Sequence, residues 1–482
     1  MNRREFVQAF AAAGLLTGLS IRSKATGAFA SAAAPGTGLL RAQQAFLDLR
    51  FGMFIHLNMA TYQQREWGDP KASPAMFNPR RLDASQWARA ARSANMGYGC
   101  LTTKHHDGFC LWPTKTRSAN VMQSGYRHDI VRLYVDAFRK AGLKPCLYFS
   151  MLDLRDDIRA GVVTREGIDL IKAQLTELLT QYGPIPALIF DGWNASWSRI
   201  GYDQLPYREI RDLVKSLQPD CLVADHNAGR YPGPALYYTD IKQYEQHAGQ
   251  KIPAASAIPS QSGTTLQSDW FWKTDYPGQS LRPAVQIVDE WLRPFNDNHC
   301  NLILNCAPNR DGRFDANVIA RLAEIGKLWR NPGPAPALSK AIIVTTDNLA
   351  RGKPAFASSS ADASGPDLAI DDNFATYWQA DAGQRNGWIE VRFAVPAAFN
   401  TVSIIEPRHV EDYGDAARIL RYRVQYESNG TWVDIVTGDE PASIELRQFP
   451  IVQANRVRLQ LDARTASPGV SEFGLYLEPV EG

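Results

Sequence analysis

Between residues 50 and 330, short apolar runs alternate with stretches whose apolar positions recur every three or four residues. The runs Arg50–Leu57, Gly97–His105, Lys144–Met151, Pro186–Trp193, Cys221–Asn227, Leu236–Ile241, Ser268–Lys273 and Asn301–Pro308 read as strands. Helical periodicity predicts helices over Asp83–Asn95, Asp129–Ala141, Arg165–Tyr182, Pro206–Leu217, Pro283–Asn296 and Asn317–Arg330. Strands that alternate with helices imply parallel βα units, and eight units in this length match a (β/α)8 barrel. The sixth and seventh units are the weakest, because residues 242–267 read as a long loop. The expectation for residues 35–330 is therefore an imperfect TIM-like barrel.

The texture then changes. Asn331-Pro-Gly-Pro-Ala-Pro336 breaks the helical pattern and predicts a stiff linker over 331–345. From 346 to 482 the chain has only short alternating runs: Gly387–Phe393, Thr401–Glu406, Arg421–Tyr426, Trp432–Val436 and Arg456–Leu461. Turn residues separate them and no helical stretch intervenes, which predicts an antiparallel β-sandwich.

The start of the chain reads as an export address. Arg3-Arg4 precedes the weakly apolar stretch Ala9–Ile21, and Ala28-Phe29-Ala30 offers small residues for cleavage. A paired arginine in this setting is like a bacterial twin-arginine signal, so residues 1–34 are expected to be a signal peptide. The mature protein is then periplasmic or secreted. The apolar stretch is too short to span a bilayer, and no later segment reaches spanning length. The whole chain has 482 residues, 45% hydrophobic and 21% charged, enough to bury large cores. Without the first thirty residues, 48 lysines and arginines face 49 acidic side chains. Such a balance supplies no field to gather nucleic acid, which is set aside as a partner. The six cysteines form none of the close pairs of a zinc site and mostly sit in strand-like runs, where a thiol packs as a small hydrophobe; spacing names no disulfide.

In a barrel, chemistry gathers at the C-terminal ends of the strands. The predicted strands end in His56, in Lys104-His105-His106-Asp107, in Asp191 and in Asp225-His226-Asn227, with Asp240 and Glu245 after the sixth. A lone strand-end aspartate is usually a turn or a helix cap. Five converging polar ends are harder to explain that way. The histidines could ligate a metal, but neighbours on an extended strand point to opposite faces, so only one of His105 and His106 faces a pocket unless the chain bends there. Trp67, Trp112, Trp193, Trp197, Trp270 and Trp272 fall in or after strand-end segments. Each alone is as well explained by core packing. Together, carboxylates, imidazoles and indoles suggest a carbohydrate pocket.

Several segments resemble the α-L-fucosidases of glycoside hydrolase family 29. They are Phe51-Gly-Met-Phe-Ile-His56, Glu66-Trp67-Gly68-Asp69, Phe77-Asn78-Pro79, Trp87-Ala88, Lys104-His-His-Asp-Gly-Phe109, Phe190-Asp-Gly192 and Asn305-Cys-Ala-Pro-Asn-Arg-Asp-Gly312. The resemblance implies an exo-acting retaining fucosidase that releases terminal L-fucose through a covalent glycosyl-enzyme. It implies Asp191 as nucleophile and Glu245 as acid/base, with Asp240 and Glu66 as alternatives to Glu245. It further implies His56, Glu66, Trp67, His105 and His106 around the sugar, with Trp193, His226 and Arg230 added at neighbouring strand ends. No cofactor is implied in the active site, and the substrate partner is a fucosylated oligosaccharide or glycoconjugate. The chain departs from the family pattern at Leu57-Asn58 and at Ile189, which bears on the pocket rim and on acceptance of a related sugar such as L-galactose.

The tail is similar to discoidin-type (F5/8 type C) domains, a galactose-binding-like jelly roll, through Asn348-Leu-Ala-Arg-Gly-Lys353, Ala369-Ile-Asp-Asp372, Ala375-Thr-Tyr-Trp378 and Trp388-Ile-Glu390. That resemblance implies a structural calcium to which Asp371 contributes, and either glycan binding or plain packing on the barrel. The alternative to an enzyme is a glycan-binding protein whose barrel has lost turnover. The presence of both carboxyl candidates favours the enzyme.

Overall fold

The computed structural model describes residues 35–195, 197–226, 235–246, 252–253, 255–407, 418–441, 444–464 and 467–479. The predicted signal peptide and Arg230 lie outside them. Eight parallel strands close into a barrel: β1 Phe51–Ile55, β2 Tyr98–Lys104, β3 Lys144–Ser150, β4 Ala187–Asp191, β5 Leu222–Asp225, β6 Ile241–Glu245, β7 Ser260–Thr265 and β8 Cys300–Asn305. β8 pairs back onto β1 to complete the ring. The interior is filled by the side chains that the two-residue period turns inward, among them Phe54, Tyr98, Cys100, Cys146, Tyr148, Ile189, Ala224 and Ile303. A helix over Pro35–Leu47 sets Phe46 against Tyr98 on this cluster.

Five of the six expected helices appear where the apolar spacing places them, while Pro283–Asn296 is instead a π-helical stretch, Ile287–Leu292, between the short α turns Ala284–Gln286 and Arg293–Asp297, and three of the five have a side-chain cap. Asp83, Asp129 and Thr164 each accept a hydrogen bond from a first-turn N–H of the helices Ala84–Ser93, Ile130–Lys140 and Arg165–Gln181. All six cysteines are buried and unpaired.

Two strands differ from expectation. The sixth barrel strand is Ile241–Glu245, not Leu236–Ile241, and the seventh is Ser260–Thr265, not Ser268–Lys273. Both lie in the stretch read as a loop. They are buried yet polar: Gln261 donates to Gln243 and accepts from Tyr98 across the barrel interior. No apolar run marks them, because hydrogen bonds between side chains replace apolar packing there. Ala235–Tyr237 is a separate short strand that pairs in parallel with Ile342–Val344. Part of the predicted linker is therefore a strand.

The C-terminal region is antiparallel. Ala355–Ala357, Asn386–Ile405, Ile444–Ala463, Ile419–Ser428 and Thr431–Asp439 pair in that order, and Glu472–Tyr476 pairs with the second half of Asn386–Ile405. It has its own core around Trp378, Ile389, Phe399, Val424, Leu459 and Phe473. Ile405, Ile444, Leu446 and Tyr476 instead join the core beneath the barrel helices, and the Tyr476 and Tyr237 hydroxyls meet at 3.0 Å.

Candidate active site

A cavity of about 410 Å³ opens at the C-terminal ends of the barrel strands. It is lined by Phe54, His56, Glu66, Trp67, His105, His106, Tyr148, Asp191, Trp197, His226, Glu245 and Trp270. Asp191 closes β4, whose apolar residues are locked in the barrel wall, so its carboxylate stands on a rigid base. Oδ1 accepts from the Gly192 N–H at 2.7 Å and Oδ2 from the Tyr148 hydroxyl at 2.7 Å. Gly192 has φ +70°, and a Cβ there would lie 2.9 Å from Leu152, so this turn requires glycine.

Glu245 ends β6 and faces the same cavity. Burial, then the nearby charges of Asp191 and Glu66, push its carboxyl up to about 8, while the Trp270 indole hydrogen-bonds it. At neutral pH it therefore keeps its proton. Glu66, at the rim, is also pushed up by desolvation and by Asp269 and Asp191.

The histidines are held neutral. His56 Nδ1 lies 2.7 Å from Asn305 Oδ1, and the Asn305 amide nitrogen donates to the Trp270 carbonyl, which fixes the amide and puts the proton on Nδ1. Burial lowers the His56 imidazole to about 4. His106 Nδ1 lies 2.7 Å from Ser150 Oγ, whose own proton goes to the Leu152 carbonyl. Its Nε2 is then a bare acceptor 3.9 Å from Asp191 Oδ2, and burial with neighbouring positive charge brings the ring to about 3. His105 stacks on Tyr148 at 5.7 Å and leaves Nδ1 without a partner. Both adjacent histidines face the pocket because β2 ends at Lys104 and the chain bends beyond it. Neutral imidazoles with free ring nitrogens suit sugar hydroxyls. With the Nδ1 atoms of His56 and His106 engaged, no group of three or more ligating side chains is arranged for a metal among the described residues.

Those residues assemble a carboxylate pair, an aromatic wall and hydroxyl-binding imidazoles in one cup. Comparison with known proteins supplies the family. The chain matches the family model for α-L-fucosidase over residues 60–333, more than half its length, and the F5/8 type C domain over 354–476. It belongs to the α-L-fucosidase family.

Among relatives, α-L-fucosidase 1 of Arabidopsis thaliana is 28% identical over 460 residues, covering 89% of this chain and 85% of the relative. Plasma α-L-fucosidase of Rattus norvegicus is 31% identical over 275 residues, 54% of this chain and 57% of the relative. The fold is shared with α-L-fucosidase isoenzyme 1 from Paenibacillus thiaminolyticus (TM-score 0.52, 22% identity, 89% of this chain and 100% of that one). It is likewise shared with a Ruminococcus gnavus family 29 fucosidase in complex with fucose (TM-score 0.50, 21% identity, 91% and 94%). The protein is thus a family 29 glycoside hydrolase.

Within this family member several sequence-based expectations need correction. Trp193 does not line the cavity: it is fully buried and its indole donates to the Leu205 carbonyl. The wall is made by Trp197 instead, four residues on, where the chain turns back over the mouth. Trp112 and Trp272 are also framework, with indoles bonded to Glu177 and Asp315. Asp240, an alternative acid/base, is buried outside the cavity between Arg211 and Lys215. The departures from the family pattern are internal. Leu57 and Ile189 are buried, and Asn58 caps the helix Met59–Gln63. The Asn309–Gly312 segment is a turn, with Gly312 at φ +78°, that receives the indole N–H of Trp87. Asp371 gives both carboxylate oxygens to its own turn, to the Asn373 N–H and the Thr376 hydroxyl. Beside it Asp372 and Glu472 are carboxylates raised first by burial, with Asp371 adding to both and Asp372 to Glu472; the three are not arranged as a metal-binding group.

Tyr148 and Asn305 were not picked out beforehand. Tyr148 shares the inward phase of β3 with Cys146, and Asn305 opens the last motif, so counting by two along the strands would have found the first.

Proposed function

We propose that this chain is an exported, exo-acting, retaining α-L-fucosidase that releases terminal L-fucose from glycans. The observation that carries it is Asp191, held at both oxygens, in one cavity with Glu245, whose carboxyl is pushed up to about 8 by burial and by Asp191 and Glu66. In the first step an Asp191 oxygen attacks the anomeric carbon while the bond to the leaving oxygen breaks, and Glu245 gives that oxygen its proton. In the second step the Glu245 carboxylate takes a proton from water, which attacks the same carbon and frees Asp191. His56 and His106, each with a bare Nε2, accept from sugar hydroxyls, and His105, His226, Glu66 and Trp67 complete the subsite. A structural calcium in the C-terminal domain, to which Asp371 contributes, is part of the same proposal. So is export by residues 1–34.

The test is release of free fucose from a panel holding an aryl α-L-fucoside and fucosylated oligosaccharides of each linkage. Wild type is expected to release fucose and Asp191→Ala to fall by at least about a thousandfold. A fully active Asp191→Ala enzyme would exclude this mechanism, and release from α-L-galactosides alone would exclude the substrate.

A further inference from the structure

Between Asp191 and the helix Tyr207–Leu217, the described residues 192–195 and 197–206 form a loop. Within it the Asn194 N–H donates to the Ile200 carbonyl at 2.7 Å, closing a turn that carries Trp197 at its outside. Trp197 is 45% exposed and Trp67 39% exposed, their rings 5.1 Å apart and each 4.9 Å from His106. Large indoles with this much open surface, at the solvent side of the cavity, are placed to face whatever a sugar bound there is attached to.

The barrel does not hold this loop alone. Phe374, from the C-terminal domain, donates its N–H to Asn194 Oδ1 at 3.3 Å. The Tyr202 N–H donates to the Asp372 carbonyl at 3.1 Å, and Arg351 donates to the Asp203 carbonyl at 2.9 Å. The Phe374 ring is buried against Tyr202 and Tyr237, at 6.1 and 5.5 Å. Tyr202 in turn donates to Asp225, the last residue of β5, at 2.8 Å. The clamping turn is itself shaped in the C-terminal domain: Asp372 has φ +61° and donates its N–H to Glu472.

We propose that the C-terminal domain is a working part of the active site, holding the loop after Asp191 at Asn194 and Tyr202 through its Asp372–Phe374 turn and so fixing Trp197 as a wall for the leaving-group sugar. Asn194 and Phe374 are then positioning residues for that specificity. This rests on the fucosidase reading and adds to it that preference for a saccharide over an aryl leaving group is set from the second domain.

The experiment uses the full chain and compares kcat/KM on a fucosylated oligosaccharide and on an aryl α-L-fucoside for wild type, Phe374→Ala, Asn194→Ala, Trp197→Ala and Phe374→Ala/Trp197→Ala. Phe374→Ala and Asn194→Ala are each expected to lose about tenfold or more on the oligosaccharide and less than about threefold on the aryl substrate, as for a misplaced binding wall. The double variant is expected to lose no more than Trp197→Ala, because both changes remove one wall. Arg208→Ala, which removes the exposed 2.9 Å contact with Asp347 between the same two domains, is expected to change neither. Should Phe374→Ala fail to fold, Asn194→Ala carries the comparison from the barrel side. Equal losses on both substrates, no loss on either, or additive losses in the double variant overturn the inference while wild type remains active. A wild type that frees no fucose from either substrate overturns the reading beneath it.

Discussion

Tyr148 shows how much rests on one hydroxyl. Among the described residues it is the only side chain donating to Asp191, and its ring is also the surface on which His105 stacks. Tyr148→Phe keeps the ring and removes the bond; a hydrogen bond to a charged group contributes about 1.5–3 kcal/mol, so kcat/KM should fall roughly ten- to hundredfold with an unchanged melting temperature. Parallel loss of stability would instead mean a packing role. Glu245 gives the second prediction at this scale. The acid must enter the first step protonated, and its carboxyl sits at about 8, so kcat/KM should decline as pH rises through about 8 and not before. Glu245→Gln should abolish that limb and lose about 10²–10⁴-fold on oligosaccharides, but less on aryl fucosides, whose leaving group needs no proton. A limb that survives in Glu245→Gln assigns the acid elsewhere, with Glu66 next in the cavity. His56, His105, His106, Asp191 and Glu245 could be read toward the cavity because a strand end in a barrel leaves a side chain few directions to point, whereas Glu66 and Trp67, beyond the helix Met59–Gln63, were reached only through the family resemblance. Trp193 and Trp197 were not separable, since a loop of this length turns either indole inward until its hydrogen bonds are known.

Elements were legible in proportion to how far burial is apolar. β1 to β5 and β8 carry runs such as Ala187-Leu-Ile-Phe190, which water drives inside whatever the neighbours are. β6 and β7, by contrast, read Ile-Lys-Gln-Tyr-Glu and Ser-Gln-Ser-Gly-Thr-Thr. They are strands because the strands either side present their backbone groups for pairing, and because Tyr98, Gln243 and Gln261 satisfy one another inside the closed ring. That is a property of the assembled barrel and has no local signal. It also moved the sixth strand: the first residues of its apolar candidate, Leu236 and Tyr237, belong instead to the strand Ala235–Tyr237, paired with Ile342–Val344. The helices Ala84–Ser93, Ile130–Lys140 and Arg165–Gln181 suffered no such ambiguity. Their apolar stripe is wide, and the caps Asp83, Asp129 and Thr164 sit one residue before each start.

At the scale of the whole molecule, the turn that joins the domains is electrostatically costly. Asp372 and Glu472 are both buried, with Asn348 donating to each and Arg351 3.7 Å from Asp372. Burial raises Asp372 to about 7, and raises Glu472 well above the usual carboxylate range. In an unfolded chain an aspartate titrates near about 3.9, so between about 4 and 7 the folded state holds a proton the unfolded state has released. The stability tied to that proton is fully present below about 4 and is lost as pH rises through about 7. In chelator, the melting temperature of wild type should therefore fall between pH 5 and pH 8 by more than that of Asp372→Asn, which has no proton to lose. Each kcal/mol corresponds to roughly 2–4 °C for domains of 150–250 residues. The same loss in both proteins with pH would move the titration away from this turn.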